Sequence, residues 1–218
     1  MSSCKLPKII HYCWFGDAQL PDFAERNISG WKKFFPGYEL VEWNESNCDM
    51  QECEYVSGAF KAKKYAFVSD YFRYKVLHEY GGLYFDTDVE VIKSYDDIVE
   101  QGSFMGIKLC DKKTGIYVAP GLCMGAVPGL PFCEEMLENY RKTEFIRPDG
   151  SLNMKLIGMY TTEHLKKYGL EDKNEFQTVA GINIYPQDYF NPMNMETMKE
   201  YVLTENTRSI HHYQLSWK

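Results

Sequence analysis

The chain has 218 residues, of which 44% are hydrophobic and 16% aromatic, enough for a substantial core and too many for a disordered chain. Its formal charge of -7 argues against a protein that binds nucleic acid by neutralising phosphates, so a phosphate-bearing ligand would need local help from a metal, a lysine or a helix N-terminus. Seven cysteines, an odd number with no C-x-x-C pair, imply reduced thiols and a cytoplasmic setting.

The opening "MSSCKLPKIIHYCWFG" has a short apolar run broken by His11 and no small-residue cleavage site, so no signal peptide is read there. Lys8 to Trp14 is a β-rich run closed by Gly16. Pro21 to Phe35 reads as a helix with proline in its first turn, stopped by Pro36-Gly37. Tyr38 to Trp43 alternates as a second strand, and a polar loop, "NESNCDM", follows it. From about Ala59 to Tyr80 the pattern is helical, with Ala66, Asp70, Arg73 and Leu77 along one face and Gly81-Gly82 as the C-cap. The chain then enters an apolar strand that carries Asp86 and Asp88 at its end. Strand, helix, strand, helix, strand is the order of an α/β unit with a parallel sheet.

After "VEVI" the sequence predicts a short helix near Tyr95 to Val99, strands at Phe104 to Lys108 and Leu122 to Val127, and helices from Pro131 to about Lys142 and from Met154 to Tyr168. "FQTVAGINIYP" and "TRSIHHY" read as late strands. The longest uncharged run, Gly115 to Phe132, is cut by three prolines and is too short and kinked for a membrane helix; buried strand and loop near a site fit it better. No repeat, low-complexity tract or linker divides the chain, and 1–218 reads as one domain.

In a strand, Asp86 and Asp88 would point the same way. Two carboxylates so placed repel each other unless a cation sits between them, and a hard divalent ion with open positions for phosphate oxygens is the natural tenant. The competing reading is a solvated turn. Ligands of open α/β sheets sit beyond the carboxyl ends of strands, where His11, Tyr12, Trp14 and Phe15 also arrive. Such aromatics are core in many proteins, but Trp14 stacking on a base would contribute about 1–3 kcal/mol. Asp70 and Arg73 would be an ordinary surface ion pair if their helix did not feed straight into the Asp86–Asp88 strand; because it does, Ser69, Asp70 and Arg73 reach the same crevice. Lys61, Lys63 and Lys64 read as a solvated face. Two carboxylates leave a divalent ion short of ligands, and a histidine from "SIHHYQLSWK" is an acceptable third.

"LPKIIHYCWFG", "WNESN" (Trp43 to Asn47), "AFVSDYFRYKVLHEYGGLYFDTD" (Ala66 to Asp88) and "HYQLSW" (His212 to Trp217) together resemble the sugar transferases with a DXD-containing sugar-binding region, glycosyltransferase family 32, nearest to the short bacterial enzymes of polysaccharide synthesis. The resemblance implies an α/β fold of the GT-A type, a mixed, mainly parallel sheet flanked by helices. It further implies a Mn²⁺ or Mg²⁺ ion, a nucleotide-diphosphate sugar donor, a glycan or lipid-linked glycan acceptor, and retention of anomeric configuration. A UDP-sugar is favoured over GDP-mannose. By motif position Trp14 would stack on the base, with His11 and Ser69 beside it in the donor site. Asp70 and Arg73 would hold the sugar, and Tyr84 would line the pocket. Asp86 would contact ribose and metal, and Asp88 would bind the metal most directly. His212 is preferred to His211 as third ligand, with Ser216 and Trp217 closing over the diphosphate as a lid. A lipid-linked acceptor would bring the protein to the inner face of a membrane without a transmembrane segment.

Two rivals stand beside this reading. A haloacid dehalogenase-type phosphatase also puts Asp-x-Asp at a strand end with the first Asp as nucleophile, but it wants Thr or Val four residues on, where this chain has Glu90. The other is a non-catalytic nucleotide-sugar-binding module.

Overall fold

A computed structural model describes residues 5–111, 115–194, 197 and 200–214. Strand β1 (Ile9–Cys13) lies between two parallel neighbours, β2 (Glu39–Trp43) and β3 (Gly82–Tyr84). Helix α1 (Asp22–Phe34) joins β1 to β2, and α2 (Glu54–Lys61) and α3 (Tyr65–Tyr80) join β2 to β3. Strand β4 (Val89–Val91) leaves this sheet, and α4 (Asp96–Val99) leads into the longest strand, β5 (Phe104–Asp111). β6 (Gly115–Val118) folds back on β5, and β7 (Met124–Ala126) fills the space between β3 and β5. Helices α5 (Pro131–Arg141) and α6 (Ile157–Lys167) precede the hairpin of β8 (Gln177–Val179) and β9 (Ile182–Tyr185). After α7 (Gln187–Phe190) comes β10 (Ser209–His211), which pairs with β4 outside the main sheet.

The main sheet runs β2-β1-β3-β7-β5-β9-β8, with β6 paired to β5. β2, β1, β3, β5 and β9 share one direction and β7, β6 and β8 oppose it, so the sheet is mixed and mainly parallel, as expected. One face is covered by α3, whose Phe67, Val68, Tyr71, Phe72, Tyr74 and Leu77 are all buried. Trp31, Phe35, Phe85, Tyr95, Phe104 and Phe190 form the second core cluster. Burial of side chains of this size contributes about 1.5–3 kcal/mol each, which offsets the presence of two charged residues, Asp70 and Arg73, inside the same helix.

Two local expectations fail for identifiable reasons. The helical pattern from Ala59 to Tyr80 is broken, because Lys63 takes a left-handed φ of 55° and ends α2. The amides of Lys63 and Lys64 then bond back to Phe60 O and Ala59 O, a C-cap without the usual glycine. The strand expected to carry Asp86 and Asp88 stops at Tyr84 instead. Asp86 to Val89 form a turn, with Val89 N donating to Asp86 O at 3.0 Å. The turn's outward carbonyls are taken by one face of α1: Asn27 Nδ2 donates to Thr87 O at 3.0 Å, and buried Trp31 Nε1 to Val89 O at 2.8 Å. A strand was not needed to bring the two carboxylates together.

The return from α3 into β3 does need its glycines. Gly81 and Gly82 have φ of 65° and 98°, and a Cβ on Gly82 would lie 2.6 Å from Ile9 O of β1. Among the described residues Cys13, Cys48, Cys53, Cys123 and Cys133 are free thiols. Among the described residues no helix is long and apolar enough to cross a membrane.

Candidate active site

A cleft of about 740 Å³ opens where β1 and β3 end, beside the middle of β5, the position expected for a ligand of an open α/β sheet. Trp14 and Phe15 reach it from β1, Ser69, Asp70 and Arg73 from α3, and Tyr84, Asp86 and Asp88 from β3 and its turn. His211 arrives from β10, and Lys108 from β5.

Asp86, Asp88 and His211 each offer a ligand atom, and these atoms lie within 4.8 Å of one another. His211 Nε2 is 3.3 Å from Asp88 Oδ1 and 3.6 Å from Asp86 Oδ2. Two carboxylates and an imidazole form a donor set that suits a divalent ion of the Mn²⁺ or Mg²⁺ kind. Burial pushes the Asp88 carboxyl above its ordinary range, opposed by His211 and reinforced by the charge of Asp86. Burial acts on Asp86 in the same sense, but there Arg73 and His211 prevail and hold it low.

Arg73 is the hub of the cleft floor and is 3% exposed. Its Nη2 bonds Asp70 Oδ1 at 3.1 Å, its Nη1 lies 3.2 Å from Asp86 Oδ1, its Nε donates to Ser69 O, and its guanidinium stacks 4.6 Å from the centre of the Tyr84 ring. Among the described residues Nη1 makes no aligned hydrogen bond besides that ion pair. Burial raises Asp70 to about 7 against the pull of Arg73. Gly121 lies against this pair: a Cβ there would be 2.3 Å from Asp86 Oδ2 and 3.1 Å from Arg73 Nη1. Close approach, and not conformational freedom, requires glycine at that position. The only sign of it in the sequence is the Pro120-Gly121 break inside an apolar run. Asp86, which a dehalogenase-type phosphatase would use as a free nucleophile, is already engaged by Arg73 and His211.

The other expected residues divide. Trp14 lines the cleft with its Nε1 donating to Ala18 O at 2.7 Å, leaving the ring faces free of aromatic neighbours among the described residues. Ser69 lines it too, its hydroxyl turned back on Tyr65 O and Ala66 O. His212, the histidine preferred from the sequence as third ligand, is not part of the Asp86–Asp88–His211 group. In β10 and its continuation alternate residues face opposite ways. His211 therefore turns into the cleft, and His212 turns out to bond Glu90 Oε2 at 2.8 Å. Ser216 and Trp217 lie outside the described residues.

His11 is a correction as well. It is 1% exposed and does not line the cleft. Trp43 Nε1 can only donate, so His11 Nδ1 accepts its bond at 3.0 Å and Nε2 carries the proton that goes to Gly81 O at 2.8 Å. The ring is a neutral strut between β1, β2 and the glycine turn, and burial lowers its pKa to about 4 despite the bond to Gly81. The folded state thus resists a proton that the unfolded chain binds near pH 6.5. Stability from this residue is complete above that value and is lost as pH falls toward 4. Between pH 7 and pH 5 the wild type should lose about 2 kcal/mol more than His11→Gln in urea unfolding. Parallel pH profiles would reject the strut.

Against known proteins, residues 21–105 match the family model described as a glycosyltransferase sugar-binding region containing a DXD motif. The chain is 27% identical over 151 residues to the mannosyl phosphorylinositol ceramide synthase of Saccharomyces cerevisiae, a stretch that takes in 65% of this chain and 38% of the yeast protein. It is 24% identical over 198 residues to an uncharacterized glycosyltransferase of Acanthamoeba polyphaga mimivirus, covering 87% of this chain and 76% of that one. The chain therefore spans well under half the length of the yeast relative and most of the viral one. Among solved structures the PaToxG glycosyltransferase superposes with a TM-score of 0.52 at 15% identity over 62% of this chain and 60% of its own, a likeness of fold.

Proposed function

We propose that this chain, whose residues 21–105 match the model of a DXD-containing glycosyltransferase sugar-binding region, is a metal-dependent, retaining hexosyltransferase that takes its sugar from a nucleotide-diphosphate donor, a UDP-sugar before GDP-mannose. The acceptor is a glycan or lipid-linked glycan of polysaccharide synthesis. The observation that carries this reading is the convergence of Asp86, Asp88 and His211 beside the Arg73–Asp70 pair in one cleft. The yeast relative's name, which joins a mannosyl group to an inositol ceramide, favours an acceptor borne on lipid.

A divalent ion held by Asp86, Asp88 and His211 would offset the charge that gathers on the diphosphate as the sugar leaves. The chain's own residues do the rest. Trp14 offers a flat face for the base at the β1 end of the cleft. Arg73, fixed by Asp70, Ser69 and Tyr84, has in Nη1 a group paired to Asp86 at 3.2 Å that it can share with a donor oxygen. Asp70, raised to about 7, can accept or donate a hydrogen bond to a sugar hydroxyl at neutral pH. No carboxylate is assigned a covalent role; the leaving phosphate oxygen takes the acceptor's proton.

The test is a screen of nucleotide-sugars for slow, Mn²⁺-dependent release of nucleoside diphosphate, run on wild type, His211→Ala and His212→Ala. His211→Ala should raise the Mn²⁺ needed for half-maximal release by about tenfold or more, and His212→Ala should leave it little changed. Release that ignores Mn²⁺, or the reverse order of the two histidines, would overturn the assignment.

A further inference from the structure

Lys108 stands in the middle of β5, across β7 from the strand that leads to Asp86 and Asp88, and its side chain lines the same cleft. Its ammonium lies 4.5 Å from the centre of the Tyr213 ring and 5.8 Å from that of Tyr117. Among the described residues no carboxylate pairs with it, whereas Arg73 is answered by both Asp70 and Asp86. Its backbone is clasped: Asn191 Nδ2 donates to Lys108 O at 2.6 Å, and Tyr213 OH donates to Asn191 Oδ1 at 2.9 Å. The lysine and the ring beneath it are thus fixed to each other through one asparagine. Burial presses the ammonium below its ordinary range while Asp86 and Asp88 pull it back, so it senses both carboxylates without touching either.

A half-buried cation without a counter-ion is costly unless a ligand supplies one. Without metal, the two carboxylates supply part of the compensation from a distance. A divalent ion would cancel those carboxylates and Arg73 would keep its 3.1 Å pair with Asp70, so Lys108 is left as a positive charge of the cleft, beside Lys63 and Lys64 of its lining, with which no carboxylate pairs among the described residues. We propose that Lys108 is an anion-binding residue of this site, and that it receives the phosphate oxygen left with negative charge when the donor sugar departs. This rests on the transferase reading above. The bond between the sugar carbon and that oxygen breaks with its electron pair staying on the phosphate, the acceptor's hydroxyl oxygen bonds the same carbon, and the acceptor's proton passes to the phosphate. Lys108 keeps its proton and stabilises the charge by a charge-assisted hydrogen bond.

The experiment titrates wild type, Lys108→Met and Lys108→Arg with Mn²⁺ alone and, at saturating Mn²⁺, with inorganic pyrophosphate, UDP and GDP; melting temperature checks that each variant is folded. Lys108→Met should weaken pyrophosphate, and whichever nucleotide the wild type binds, by about tenfold or more, and Lys108→Arg should recover most of the loss. Mn²⁺ alone should bind Lys108→Met as tightly as wild type or more tightly, because a positive neighbour has gone. A merely structural lysine would weaken both ligands together, and that result would overturn the proposal. If wild type binds Mn²⁺ and diphosphate and releases nucleotide from a sugar donor while Lys108→Met is indistinguishable from it, the lysine's role falls and the transferase stands. If wild type binds none of the three phosphates with Mn²⁺, both fall.

Discussion

Asp88→Asn should reduce metal-dependent transfer by about 10²–10³-fold while the protein remains folded. The substitution keeps shape and keeps an oxygen to accept the 3.0 Å bond from Gln214 N, but it removes the charge that a cation would need. Because burial and the neighbouring Asp86 both oppose ionisation of Asp88, the metal-free variant should be no less stable than wild type. Asp86→Asn should be almost as severe in activity and worse in stability, since that carboxylate also answers Arg73. The measurements are turnover at saturating Mn²⁺ and the shift of melting temperature on adding Mn²⁺, present in wild type and absent in Asp88→Asn. Near-normal turnover of Asp88→Asn at saturating Mn²⁺ would remove the metal from the site.

Arg73→Met should destabilise the fold by about 3–5 kcal/mol, the range for breaking a buried ion pair by removal of one partner. Asp70 is 6% exposed and already titrates near 7 with Arg73 beside it. Losing the guanidinium moves Asp70 further up. A carboxyl whose folded pKa is raised takes up protons on folding, so its contribution is favourable at low pH and is lost as pH rises through the folded value. The deficit of Arg73→Met in urea unfolding should therefore be larger at pH 8 than at pH 5, and Arg73→Met/Asp70→Asn should recover much of it. A deficit independent of pH would mean that packing on Tyr84, at 4.6 Å, and not charge, is what Arg73 supplies. Arg73→Lys should not rescue, because one ammonium cannot bridge Asp70, Asp86 and the aromatic face together.

The residues of the cleft floor were legible because one contiguous block carries them: Asp70 and Arg73 near the middle of α3, the glycine turn, then Tyr84, Asp86 and Asp88. What the block could not convey was how the carboxylates meet. The turn that gathers them is held by Asn27 and Trp31, side chains from a helix about 60 residues earlier, and no local pattern announces that. The choice between His211 and His212 depends on the register of β10 against β4, in which His211 faces Val89; a pairing partner so distant in sequence is invisible to a reading of alternation alone. His11 misled for the opposite reason. A histidine at the end of a strand looks like a ligand, and its real partners are a tryptophan on β2 and a carbonyl in the glycine turn. Lys63 ends a helix in a conformation normally given to glycine, and Lys108 has neither a motif nor a charged neighbour in sequence to mark it.

The pairing of β4 with β10, and the bond from Gln214 to Asp88 across 126 residues, make the site a closed ring of polypeptide. Closing such a ring is entropically unfavourable, but only logarithmically so, at about 0.6 kcal/mol for each doubling of its length. A cation gripped by Asp86, Asp88 and His211 would act on that ring as a removable cross-link, akin in its thermodynamics to a disulfide. Ion binding and docking of the last described strand would then be one linked equilibrium, in which free ion at about a hundred times its dissociation constant adds about 2.7 kcal/mol to the closed form. Anything that pries β10 from β4 would lower the affinity for metal without touching a ligand.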